Sequence, residues 1–321
     1  MKKLLYLVPH LSTGGMPQYV LEQIRTFKDK FDIYVVEYNN YADDFIVQKT
    51  EIINEIPKGH HICLSNVSGN IDKNRPQVIK VIEKIKPDIV HIHDHVSWFM
   101  TEEIMRGLLN IPDRPYYIVT PHAKHALPQE CLFTPDKYVL VSKWQHNLYD
   151  SYTDVPCDIW EYPVKDFKVN KEKYKKELNL DPNFYHVLNV SLFTPGKNQG
   201  EIFEVASLLQ DKPIKFHFVG NMSTHFDDYI QPILKTKPDN CILWGERNDT
   251  HKFYQACDLF YFSSIHELFP LVIKESLSYK LPILIKRLDT YLDTYDSNDL
   301  ITYIENNIED NKNTLLKVLG L

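Results

Sequence analysis

The chain has 321 residues, 43% hydrophobic and 25% charged, which is length for about two domains with real cores and excludes a disordered chain. A net charge of −7 speaks against a simple electrostatic binder of nucleic acid or anionic membranes. Cys63, Cys131, Cys157, Cys241 and Cys257 are odd in number and form no Cys-x-x-Cys pair, which fits a reduced, cytoplasmic protein without structural zinc.

In chain order, Met1-Lys2-Lys3 and the apolar residues 4–8 mimic a signal peptide, but the run is short and Pro9-His10 ends it. It reads as a first strand. Further strand-like runs follow at 33–37, 61–64, 88–92, 116–120 and 138–141, then at 187–192, 215–219, 241–244, 259–262 and 282–285. Helical spacing appears between them at 17–28, 77–86, 201–209 and 271–279. No run approaches the roughly eighteen apolar residues of a membrane span.

Strands alternating with helices argue parallel βαβ units, and apolar runs without clean alternation argue strands buried on both faces. The pattern pauses over residues 152–186, where a charged helix at 171–178 follows Tyr162-Pro163-Val164. The expected division is therefore 1–164 and 165–321, two Rossmann-like halves facing a central cleft. Residues 298–319 read as one or two helices, which could pack back towards the first half.

Glycine is scarce, ten in 321, so each one marks a backbone need. Gly14-Gly15, Gly196, Gly220 and Gly245 each follow an apolar run, where parallel sheets bind ligands. Glu267 and Glu275 flank a helix start at Phe269–Val272, whose free N–H groups attract an anion. Two carboxylates so spaced can hold two sets of hydroxyls; solvated surface glutamates are the plain alternative. Thr194-Pro195-Gly196-Lys197-Asn198 joins a strand to a helix and suits a diphosphate, although it is not a Walker loop. Gly14-Gly15 lacks a dinucleotide fingerprint. His91, His93 and His95 around Asp94 have metal-like spacing, but satisfied strand-end histidines are commoner, and no metal is expected. His122, closing a strand, is the better functional candidate.

Taken together, these residues resemble the GT-B glycosyltransferases of family 4 over nearly the full length. Glu267 and Glu275 match that family's Glu-x7-Glu motif, and Lys197, Gly14-Gly15, the 88–93 strand and His122 occur in the expected order. The resemblance implies a retaining hexosyl- or pentosyltransferase that uses a nucleotide-diphosphate sugar, with no cofactor or metal. It implies that Lys197, with Thr194 and Asn198 in its loop, binds the diphosphate, against which Gly14 and Gly15 lie. Glu267 then holds donor-sugar hydroxyls, Glu275 the ribose, the N–H groups of Phe269 and Leu271 the phosphate or sugar, and His122 the reacting sugar.

Three features depart from the family. Leu192 stands where an arginine is usual, and Leu268 and Pro270 replace glycines. The base site is open: Gly220-Asn221 and Trp244-Gly245-Glu246-Arg247 could frame it, or Arg247 could replace the missing cation. For the acceptor, a glycan or glycan precursor, the cues are Tyr38, Tyr41, Trp98, Phe99, Lys124 and Lys143. The alternatives are a transferase acting on a modified DNA base, a non-catalytic nucleotide-sugar binder, and a 2-epimerase.

Overall fold

A computed structural model describes residues 1–38, 47–64, 71–94, 102–124, 126–130 and 134–321. Tyr41, Trp98, Phe99, His95, His125 and Cys131 lie outside the described residues. The chain forms two compact units, 1–162 and 163–321.

The first unit's strands are β1 (Lys2–Val8), β2 (Phe31–Glu37), β3 (His61–Cys63), β4 (Ile89–His93), β5 (Tyr116–Thr120), β6 (Lys137–Leu140) and β7 (Cys157–Ile159). They form one parallel sheet in the order β3-β2-β1-β4-β5-β6-β7. Successive residues of β1 show why its sequence does not alternate. Leu5 and Leu7 enter one core with helices α3 (Ile71–Ile85) and α4 (Glu102–Leu109). Leu4, Tyr6 and Val8 enter another with α1 (Gly15–Phe27) and α2 (Val47–Glu55). Helix α5 (Lys143–Asp150), capped by Ser142, completes the unit.

The second unit repeats the plan with β8 (Tyr185–Val190), β9 (Ile214–Val219), β10 (Cys241–Gly245), β11 (Leu259–Phe262), β12 (Ile283–Lys286) and β13 (Ile301–Ile304). Their parallel order is β10-β9-β8-β11-β12-β13. Leu259 and Tyr261 face the core containing α7 (Gln199–Ser207), α8 (Asp227–Lys235) and α12 (Ile308–Leu319). Phe260 and Phe262 face the core of α9 (Thr250–Ala256), α10 (Leu271–Ser278) and α11 (Asp289–Tyr295). The charged helix α6 (Lys171–Glu177) lies beside α9.

Two expectations are corrected. Residues 152–186 are not strand-free, because Cys157–Ile159 forms the edge strand β7. Residues 298–319 are not helical throughout. Ile301-Thr302-Tyr303-Ile304, all β-branched or aromatic, pairs with β12 as an edge strand before α12 begins. The buried apolar residues of α12, Leu315 and Leu319, belong to the second unit's core. Among the described residues, no helix is long and apolar enough to cross a membrane.

In each sheet the strand order reverses at the centre, between β1 and β4 and between β8 and β11. In open parallel sheets the loops leaving the carboxyl ends of the strands diverge at such a reversal, which is where ligands usually bind.

Candidate functional site

In the second unit the loops at this reversal carry the two residues singled out above. After β8, Thr194 accepts the amide of Lys197 at 3.3 Å, and Pro195–Lys197 makes one 3-10 turn. Asn198 then takes a left-handed conformation (φ 55°), which turns the chain into α7, and its side-chain amide donates to Glu201 at 3.0 Å. After β11, Ser263 and Ser264 bind this loop. Ser263 Oγ donates to the Asn198 carbonyl at 2.8 Å, and the Ile265 amide donates to the Gly196 carbonyl at 2.9 Å.

The stitching brings Lys197 Nζ onto the Glu267 carboxylate as a charge-assisted hydrogen bond. Ser264 Oγ also donates to Glu267 Oε1, at 2.6 Å, and Thr290 Oγ1 donates to the Glu267 carbonyl at 3.1 Å. Lys197 lies over the Phe262 ring, 5.2 Å from its centroid, and keeps 29% side-chain exposure. A cation and an acceptor carboxylate thus share one half-open spot above the central strands. Sequence reasoning missed Ser263, Ser264 and Thr290; two hydroxyls directly after a strand were the available signal for the first two.

Phe269 and Pro270 precede α10 rather than opening it, because Pro270 is extended (ψ 116°) and the helix begins at Leu271. The amides of Leu271 and Val272 therefore head the helix. Glu275 lies further along α10, half-buried, and accepts from the Tyr254 hydroxyl at 2.8 Å. Burial raises its pKa, and the Tyr254 bond acts against that rise.

Arg247 makes a two-point ion pair with Asp249, both contacts at 2.8 Å, so its charge is already matched. Leu192 projects no cation and is 40% exposed. At Gly220 (φ 152°) a Cβ would stand 1.9 Å from the Ser191 carbonyl oxygen, so packing against the β8 loop alone requires glycine there. Asn221 donates to Glu246 at 2.9 Å, and Trp244 Nε1 donates to His217 at 3.0 Å.

In the first unit, Gly14 precedes α1 with no side-chain cap, and a Cβ on Gly15 would meet nothing within 4 Å. His122 follows β5. Its amide donates to Asp94 Oδ1 at 3.0 Å, and its Nε2 lies 2.9 Å from His93 Nδ1. Asp94 itself is left-handed (φ 63°) and donates its amide to the Thr120 carbonyl, which ties the ends of β4 and β5 together. Burial lowers the pKa of His122, against the pull of Asp94. His91 and His93 share a strand face, with ring centroids 4.3 Å apart. Among the described residues, no three His, Cys, Asp or Glu side chains are grouped to hold a metal ion. Of the acceptor cues, Tyr38 is buried in the core, and Lys124 lies over the Trp144 ring at 5.5 Å.

Residues 170–319 match the family described as glycosyl transferases group 1. The match covers most of the second unit and just under half of the chain. Two curated relatives are similar to parts of the chain. A processive diacylglycerol alpha-glucosyltransferase of Acholeplasma laidlawii is 27% identical over 49% of this chain and 47% of its own length. An alpha-galactosylglucosyldiacylglycerol synthase of Streptococcus pneumoniae is 28% identical over 38% of this chain and 37% of its own. The chain thus spans less than half the length of these relatives. Solved structures resemble it throughout. A glycosyltransferase from Rickettsia africae has a TM-score of 0.76 at 18% identity, covering 99% of this chain and 88% of that one. The Anabaena protein HepE in complex with UDP-glucose has a TM-score of 0.77 at 15% identity, covering 100% and 91%. At these identities the likeness is one of fold: two parallel-sheet α/β units of the GT-B type.

Proposed function

We propose that the chain is a hexosyltransferase that moves a sugar, with retention of configuration, from a nucleotide-diphosphate sugar to a hydroxyl acceptor. The observation that carries this reading is the meeting of Lys197 and Glu267 at the strand-order reversal of the unit that matches the group 1 family. A departing nucleoside diphosphate needs fixed positive potential, and Lys197 with the first amides of α10 is the source of it. Glu267, an acceptor-only carboxylate, suits donor-sugar hydroxyls. Glu275 is assigned to the ribose, and Gly15 and His122 to the diphosphate and the reacting sugar, as in the family it resembles. Acceptor attack on the face the diphosphate leaves, with a phosphate oxygen taking the acceptor proton, accounts for retention without a protein nucleophile. No residue described above is reserved for a metal.

The names of the curated relatives favour a lipid-linked hydroxyl as acceptor, a diacylglycerol or its glycoside. UDP-glucose is the first donor to try, since HepE, of the same fold, binds it. The test is release of UDP and formation of glycoside from UDP-glucose and diacylglycerol in mixed micelles. Glu267→Ala is expected to lose on the order of 10²-fold or more in turnover while remaining folded. Lys197→Ala is expected to weaken UDP binding measured by calorimetry. Wild-type turnover in the first variant, or unchanged UDP affinity in the second, overturns the assigned role.

A further inference from the structure

His93 lies on β4 and His122 after β5, and one proton occupies the 2.9 Å contact between His93 Nδ1 and His122 Nε2. Which ring owns it follows from the far side of His93. There Nε2 is buried and, among the described residues, has no hydrogen-bond partner. If His122 owned the shared proton, neutral His93 would carry its own on Nε2, an orphaned buried N–H, which folded proteins rarely tolerate. If His93 owns it, Nε2 is a bare lone pair among rings. The rings around it are Tyr6 at 5.7 Å, Tyr19 at 6.1 Å and His91 at 4.3 Å between centroids. The Tyr6 hydroxyl, likewise buried and without a hydrogen-bond partner among the described residues, makes no bond to Nε2 that would satisfy an N–H there.

The other polar groups nearby are committed elsewhere. Asp94 takes the main-chain N–H of His122, not its ring. Thr120 gives its hydroxyl proton to the Val139 carbonyl, so His91 Nε2 must donate to Thr120 Oγ1. Burial, with His91 and His122 adding to it, holds the His93 pKa well below the ordinary histidine value, which disposes of a doubly protonated ring.

We infer that His93 is a positioning residue that donates Nδ1–H to His122 Nε2 and so fixes His122 as the Nδ1-protonated tautomer. His122 then offers its ligand a hydrogen-bond donor at Nδ1, and its basic nitrogen is capped. The tautomer does not depend on what the protein binds; its use on a sugar oxygen rests on the glycosyltransferase reading above. On that reading His122 orients the sugar and does not deprotonate the acceptor, which leaves that task to the departing phosphate.

The test is nitrogen NMR of the full chain labelled at histidine, with His122 identified from the signal missing in His122→Phe. The expected spectrum shows the His122 proton on Nδ1 and a bare Nε2. His93→Leu is expected to release that preference. His93→Asn, whose side-chain amide can stand where Nδ1 stood, is expected to restore it. A proton on His122 Nε2 in the unsubstituted protein overturns the inference, as does a tautomer unchanged in a folded His93→Leu protein. If His93→Leu does not fold, the unsubstituted protein and His93→Asn decide. UDP-glucose turnover is read in parallel. Its loss in His93→Leu and return in His93→Asn is the expected functional counterpart. Absence of turnover in the unsubstituted protein sinks the glycosyltransferase reading, while the tautomer is still decided by the spectrum.

Discussion

Glu267 is held from three sides, by Lys197 and Ser264 at its carboxylate and by Thr290 at its carbonyl. A side chain so restrained keeps one geometry when a ligand arrives, and the entropy of ordering it is already spent in folding. Lys197 differs, being part-exposed and tied by one ion pair, so it can turn towards an incoming anion without leaving Glu267 unsolvated. Gly220 shows the opposite kind of requirement. Its amide donates to the Gly245 carbonyl at 2.8 Å, the Ser191 amide donates to Val219, and a Cβ would strike backbone that cannot swing away. Gly220→Ala is therefore expected to cost roughly 1–3 kcal/mol from overpacking, with backbone strain added to it. Urea titration checks this; an unchanged midpoint would show that the β8 loop yields more easily than its contacts imply.

At the scale of elements, α1 offers a cleaner separation of binding from stability. Gly15 is its first residue, its φ is not left-handed, and the space around its Cβ position is open. Alanine there removes backbone freedom from the unfolded chain and adds helix propensity, so Gly15→Ala should hold or raise the melting temperature. If the proposed diphosphate lies against this backbone, the same methyl group should weaken UDP binding. A folded variant with unchanged affinity removes Gly15 from the site. The elements also differ in how far the sequence reveals them. Central strands such as Leu259–Phe262 are legible because burial on both faces forces an unbroken apolar run. Edge strands are not, and Cys157–Ile159 is short and half-exposed. Lys197 and Glu267 are legible as a spacing motif, and the strand order then explains why they meet. The serines that position them leave no period to detect. The pairing of His93 with His122 depends on β4 lying beside β5 with His93 opposite Thr120, a register that spacing along the chain does not reveal.

For the whole molecule, the buried histidines set the acid limit of stability. In the second unit, Trp244 Nε1 donates to His217 Nδ1, His217 Nε2 lies 2.9 Å from His186 Nδ1, and His186 Nε2 lies 2.9 Å from the Asp181 carbonyl. The indole can only donate, so every proton in this chain points the same way and both imidazoles are neutral. Adding a proton to either ring sets two donors against each other. Burial, reinforced by His186, lowers the His217 pKa to about 3, and burial, reinforced by His122, lowers that of His91 to about 3. In the unfolded chain both titrate near 6.5. The unfolded state therefore binds more protons below that pH, so stability is complete above about pH 6.5 and declines as pH falls towards the native values. With the full slope of about 1.4 kcal/mol per group and pH unit reached only once the unfolded rings are fully protonated, these two histidines together remove roughly 3 kcal/mol between pH 6.5 and 5. The lowered pKa of Glu37, whose shift acts below about pH 4.5, does not contribute in that window. Thermal melts from pH 7.5 to 5 should show a midpoint level above pH 6.5 and falling steadily below it. A midpoint flat down to pH 5 would mean that these rings accept protons in the folded state, and that the one-way hydrogen-bond chain through His217 and His186 is not maintained in solution.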